Sequence, residues 1–188
     1  MARLSLLLAT AGLTIATLGF PTKADALGPV DIEVGARAGL ATSPLGPLGF
    51  GIGGRGGVSI LGLYAGIDVI DYLGATTTCG GCSSPPGQTV EQSRSALLYG
   101  VEAGYSFKIS LVTIRPQVGL GNLHLWSAYG DPTPGPSASS NHVYFEPGVV
   151  GLVSLGVLFV GADVGALLLL VNADSGAVTV HGQIGVTF

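Results

Sequence analysis

The sequence predicts an all-β fold: a closed, eight-stranded, antiparallel up-and-down transmembrane β-barrel. Three observations carry this. The first is composition: 188 residues, 47% hydrophobic and 10% charged, with 32 glycines and a mean hydropathy of +0.61. An ordinary soluble domain carries about 25% charged residues, so this chain cannot cover a water-facing globule. Hydrophobicity this high also excludes intrinsic disorder, and the glycines lack the three-residue period of collagen. The second observation is alternation of period two over successive segments of about ten residues. The third is that the mid-strand charges all take the face opposite the large aliphatics.

The first element reads as an export signal. Met1-Ala2-Arg3 is a short positive start, Leu4 to Phe20 is almost wholly apolar, and Ala24-Asp25-Ala26 fits a small-x-small cleavage site. Cleavage after Ala26 leaves a barrel at 27–188. A membrane anchor is the alternative, but the apolar run lies near the short end for a spanning helix. No cysteine follows Ala26 directly, which argues against a lipid-anchored N-terminus.

Eight strand candidates follow: 30–42, 49–60, 62–73, 93–107, 111–126, 142–154, 157–170 and 176–188. In the first, Ile32, Val34, Ala36, Ala38 and Leu40 oppose Glu33, Gly35, Arg37 and Gly39. In the second, Phe50, Ile52, Val58 and Ile60 oppose Gly51, Gly53, Arg55 and Ser59. In the fourth, Leu97 to Phe107 alternate with Gly100, Glu102, Gly104 and Ser106. In the fifth, Val112, Ile114, Val118 and Leu120 oppose Thr113, Arg115, Gln117 and Gly119. In the last, Val178, Val180, Ile184, Val186 and Phe188 oppose Thr179, His181, Gln183 and Thr187.

The charges Glu33, Arg37, Arg55, Asp68, Glu102, Arg115, Glu146 and Asp163 then share one side of the wall. A soluble sandwich would spread far more charge over its wet face. Here the non-apolar face is mostly Gly, Ser, Thr, Ala and Gln, which suits a narrow interior with paired charges. The other face is an aliphatic band with Tyr105, Phe107, Trp126, Tyr129 and Phe188 near its ends. Apolar outside, polar inside and aromatic at the rims is the layout of a membrane barrel. In lipid no strand edge can stay unpaired, so the sheet must close. The interior charges predict a lumen network, with Glu102–Arg115 as an adjacent pair on neighbouring strands.

A helical reading competes at Val149 to Val171, an apolar stretch interrupted by Asp163. A charge at the bilayer centre costs about 2.5–3.5 kcal/mol on insertion scales. A hairpin turning near Ser154–Gly156 treats all eight segments alike and is preferred.

Strand parity puts the polar linkers 74–92 and 127–141 on one side of the membrane and the short connections on the other. Cys79 and Cys82, in Thr78-Cys79-Gly80-Gly81-Cys82-Ser83, are the only cysteines. After export a lone pair reads most simply as a disulfide staple in that linker. A redox CxxC lacks a βαβ setting. A zinc site lacks a second ligand pair, and no metal or cofactor is expected. Gly51-Ile52-Gly53-Gly54 has no following helix, so it does not read as a phosphate cradle. The net charge of −4 leaves no basic footprint for nucleic acid.

At this point the sequence resembles the small eight-stranded outer-membrane barrels of Gram-negative bacteria, of the OmpA transmembrane-domain and OmpX type, over essentially all of 27–188. The C-terminus His181-Gly182-Gln183-Ile184-Gly185-Val186-Thr187-Phe188 carries the most specific likeness. It looks like the family's terminal assembly signal, with Ile184, Val186 and Phe188 at alternate positions. The resemblance implies the bacterial outer membrane as location, its lipid as surroundings and the barrel-assembly machinery as a partner in biogenesis.

An eight-stranded barrel is just wide enough to be filled by side chains. The functional expectation is therefore a non-enzymatic structural or surface-interaction protein with a filled lumen. Its candidate contact region is loops 74–92 and 127–141, since loops on rigid scaffolds carry function. Two alternatives stand beside it. One is a narrow ion channel through the charged lumen. The other is a lipid-modifying enzyme, for which His124 with Ser127 would have to supply a base and a nucleophile; His181 points inward near Asp163 with no serine placed beside them.

Overall fold

A computed structural model describes residues 30–42, 48–79, 90–130, 138–170 and 176–188. Its strands are β1 (Val30–Thr42), β2 (Gly49–Ile60), β3 (Leu63–Cys79), β4 (Val90–Tyr105), β5 (Phe107–Ile109), β6 (Val112–Gly130), β7 (Ala138–Leu155), β8 (Leu158–Leu169) and β9 (Gly176–Thr187). Antiparallel pairing links neighbours around the wall, β4 pairs β6 directly, and β1 pairs β9. The sheet therefore closes on itself. Because β5 continues the line of β4 against β6, the closed wall has eight staves.

The interruption between β4 and β5 has a local cause. Gly104 pairs with Gln117 and Phe107 with Ile114, in one unbroken register. The gap lies opposite Arg115 and Pro116, and proline has no N–H to give to a ladder. On its other side, Ser106 donates its N–H to the Gly62 carbonyl at 2.7 Å, which extends the β3–β4 ladder by one rung.

Of the stretch 149–171, open between helix and hairpin in the sequence, residues 149–169 run through β7 and β8 and reverse at Gly156, whose φ is +76°. Among the described residues no helix is long and apolar enough to cross a membrane.

Two sequence expectations need correction. Linkers 74–92 and 127–141 were expected to be loops, yet strand structure continues into both. Pairing runs from Ala75↔Arg94 to Cys79↔Val90 and from Ser127↔Ala138 downward. Threonines 76–78 are β-branched and fit a strand. A bulge between Tyr72 and Ala75, with Gly74 at φ +93°, breaks the apolar alternation without ending the strand. Consequently β3, β4, β6 and β7 have 17, 16, 19 and 18 residues, while β1, β2, β8 and β9 have 13, 12, 12 and 12. One side of the wall is taller. We call that end of the barrel the hairpin end. The opposite end, with the tight connections at Leu61–Gly62, Ser110–Leu111 and Gly156–Val157, is the turn end.

The side-chain alternation follows from the pleat. Ile32, Val34, Leu40, Val101, Val118, Val164, Val180 and Ile184 face outward and are exposed. Tyr105, Phe107 and Phe188 lie outward near the turn end and Trp126 toward the hairpin end. Placement of the Tyr129 side chain, and of Cys82, falls outside the described residues, so the Cys79–Cys82 pairing does too.

Candidate functional site: the barrel lumen

The lumen is built in three levels. At the turn end, Arg115 is fully buried at 0% exposure. Its guanidinium donates to both Glu33 oxygens, one at 2.9 Å, and its Nε donates to Ser106 Oγ at 2.8 Å. It also stacks 3.8 Å from the centre of the Tyr64 ring. A fork-to-fork pair with its Nε also hydrogen-bonded is the kind of arrangement that repays desolvation of a buried ion pair.

The middle level is a connected charge cluster. Arg37 reaches Asp163 at 2.7 Å, Glu102 at 3.2 Å and Asp68 at 3.4 Å. Arg55 lies 2.8 Å from Glu102 and donates to Gln117 and Gln183, each at 3.2 Å. Gln117 donates to Glu102 at 3.1 Å. Glu146 accepts from Thr179 Oγ1. Every stave of the wall contributes to this level, so the cluster ties the wall across its diameter as well as around it.

His181 closes this level. Its Nδ1 lies 2.8 Å from Asp163 and its Nε2 lies 2.9 Å from the Tyr72 hydroxyl. Asp163 can only accept when ionised, so Nδ1 carries the proton and Nε2 accepts from Tyr72, a tautomer assigned from the network. Hydroxyl, imidazole and carboxylate stand in the order of a nucleophile, base and orienter. All three are buried within the wall, however, which gives them a structural setting.

Above this level the lumen is apolar. Ile70, Tyr72, Leu98, Leu123, Tyr144 and Leu167 form the centre of a buried cluster at the hairpin end. The sequence reading had an interior of small and polar residues and missed this cap. The signal was available in parity. Tyr64 and Tyr72 stand four residues either side of Asp68, Tyr144 two before Glu146, and Phe159 four before Asp163. An even offset from an inward charge puts each aromatic inside.

Those aromatics explain inward glycines. A Cβ at Gly57 would lie 2.5 Å from the Tyr64 ring, and one at Gly51 would lie 2.6 Å from Tyr72. At Gly100 it would meet the Tyr144 hydroxyl at 2.4 Å, and at Gly185 the Phe159 ring at 2.4 Å. Large rings on one strand thus occupy the space that neighbouring strands leave vacant.

All eight charges named from sequence face the lumen, but their pairing differs from expectation in one respect. Glu102 contacts Arg37 and Arg55, whereas Arg115 contacts Glu33. Adjacent strands were sufficient reason to expect Glu102–Arg115, but register decides otherwise. Glu102 stands opposite Gly119, four residues along β6 from Arg115. At about 3.3 Å per residue that is a displacement of roughly 13 Å.

The remaining candidates lie apart. His124 accompanies Asn141 by a hydrogen bond and packs edge-on against Trp126, with centroids 4.3 Å apart, on the outer wall. The Ser127 side chain is outside the described residues. Ile184 and Phe188 point outward, and Phe188 exchanges backbone hydrogen bonds with Ile32 at 2.9 and 3.1 Å. Among the described residues no group of His, Cys, Asp and Glu is arranged to hold a metal ion.

No protein-family model and no curated protein matches the chain. Solved structures do. A major outer membrane protein of Thermus thermophilus superposes with a TM-score of 0.67 at 14% identity, covering 85% of this chain and 99% of that one. Neisserial surface protein A gives 0.56 at 14%, covering 86% and 98%. Ail of Yersinia pestis, in complex with the heparin analogue sucrose octasulfate, gives 0.52 at 17%, covering 85% and 97%. The chain therefore has the fold of small eight-stranded outer-membrane barrels.

Proposed function

We propose that the chain is an integral protein of the bacterial outer membrane, exported by a cleaved signal at residues 1–26, with a sealed lumen and a non-enzymatic structural and surface-contact role. The observation that carries this is a continuous apolar exterior around an interior filled by ion pairs and an apolar cap. Exposed aliphatics on this scale are costly in water and favourable in hydrocarbon. The barrel likeness supports the location. Strand parity supports a turn end in the periplasm and a hairpin end outside.

The sealed lumen is the testable core of the proposal. Purified barrel in a planar lipid bilayer is expected to give no stable conductance steps at neutral pH. Reproducible open-channel steps from the folded protein would replace this reading by the ion-channel one. The enzyme reading is weakened because His181 already engages Tyr72 and Asp163 inside the lumen.

Contact with an extracellular partner would use the tall side, where the β3–β4 and β6–β7 hairpins project. A polysulfated ligand, as bound by Ail, is not part of this proposal. Of the bases in 27–188, Arg37, Arg55 and Arg115 face the lumen and Lys108 pairs with Asp31, leaving Arg94. Replacing 131–137 by Asn-Gly is expected to leave a folded barrel and reduce cell attachment. Unchanged attachment by that folded variant would remove the contact role. Ile184, Val186 and Phe188, at the closing strand, are the residues this reading offers to the barrel-assembly machinery. Cys79 and Cys82 remain the proposed disulfide.

A further inference from the structure

The turn end is unusually apolar for a rim in water. Leu61, at the tip of the β2–β3 turn, is 71% exposed. Ile109 and Leu111 at the β5–β6 turn, and Leu155 at the β7–β8 turn, are exposed as well. Leu61 and Gly62 have φ of +53° and +88°, the signs of a type I′ turn. That turn favours Asn-Gly, and a leucine with positive φ is a rare and unfavourable choice. Among the described residues nothing covers Leu61 in return.

The backbone at this end is tied to the next stave around the rim. Ser106 donates to the Gly62 carbonyl at 2.7 Å, Ser154 to the Leu111 carbonyl at 2.8 Å and Thr187 to the Val157 carbonyl at 2.8 Å. Each bond adds one rung to a ladder of the wall, so these turn carbonyls are satisfied without water. That is compatible with hydrocarbon, where an unpaired backbone group is heavily penalised. The charged pair Lys108–Asp31 lies at this rim. The leucine tips continue the outward rows of the wall, with Leu63, Phe107 and Leu158 directly next to them.

We infer that the turn-end rim is immersed in the inner leaflet of the membrane and is a lipid-contact surface, with acyl chains as the occupant. This rests on the membrane reading proposed above and adds depth to it. Continuity with the apolar wall favours lipid over a separate protein partner.

The test uses the full barrel with Cys79→Ser and Cys82→Ser, refolded into phosphatidylethanolamine/phosphatidylglycerol vesicles. A polarity-sensitive dye is attached after Leu61→Cys, Leu111→Cys, Val164→Cys or Ser139→Cys in separate variants. The expected result is loss of iodide quenching at 61 and 111, matching mid-wall 164, together with strong quenching by brominated lipid. Position 139 should stay open to iodide. If 61 and 111 are quenched as freely as 139 while 164 stays shielded, the rim faces water or awaits a protein partner, and the inference fails. If 164 is also open, the membrane reading itself fails. Two rim positions guard against one variant failing to fold.

Discussion

Arg37→Ala is expected to destabilise the refolded barrel by about 3–5 kcal/mol, the cost of breaking a buried ion pair by removing one partner. The reason lies in what it leaves behind. Asp163, Glu102 and Asp68, all within 3.4 Å of the guanidinium, would share a closed lumen with Arg55 as the nearest remaining cationic group. Urea unfolding in vesicles, followed by the heat-modifiable shift in electrophoresis, measures this. Arg37→Lys should recover part of the loss, because a point charge keeps the attraction but cannot fork between carboxylates. Adding Asp163→Asn and Glu102→Gln to Arg37→Ala should recover more, since the penalty comes from unpaired charge. An unfolding midpoint unchanged by Arg37→Ala would mean that the lumen is wet enough to solvate the carboxylates, and the sealed-lumen reading would fall with it.

The same cluster shows what could be read from the sequence and what could not. Facing was legible because the period of two is enforced at every residue, so Glu33, Arg37 and Asp163 each declared a side. Closure was legible as well, since lipid permits no free edge. Pairing partners were not. Arg37 and Asp163 are separated by much of the chain, and they meet only because β1 and β8 both flank β9. Such contacts depend on the stagger of every stave, which no local pattern records. The strand extensions were hidden for a different reason. Thr76–Thr78 and Ser139–Asn141 are polar on both faces, so alternation vanishes where the sheet rises beyond the apolar belt although backbone pairing persists. The apolar cap was obscured in the opposite way. Around Val69–Ile70, Leu97–Leu98 and Leu167–Leu168 both faces are apolar, and only the distance to an inward charge says which residue is inside.

Gly39→Ala is expected to cost about 3 kcal/mol or more, the upper end for overpacking a filled core, and to lower the yield of folded barrel sharply. A Cβ there would stand 2.0 Å from the Val180 carbonyl oxygen and 2.6 Å from His181 Cα, both backbone atoms that cannot rotate away. The β1–β9 seam would have to open, and that seam closes the barrel and positions His181 opposite Gly39. Gly53→Ala should behave alike on β2, with a Cβ 2.0 Å from the Val69 carbonyl oxygen. Gly182→Ala is the matched contrast. It lies one residue from His181 but faces outward, and its added methyl would meet nothing closer than the Ala38 oxygen at 3.9 Å. Its effect should stay within about 0.5 kcal/mol, as for surface changes that touch no special feature. The two substitutions are chemically identical, so strand propensity and chain entropy cancel in the comparison, and the difference reads the direction of the side chain alone. Equal losses at 39 and 182 would mean that the glycines serve chain flexibility during assembly. A large loss only at 39 would mean that they are there because narrow-barrel curvature brings neighbouring backbones together on the inside and spreads them on the outside.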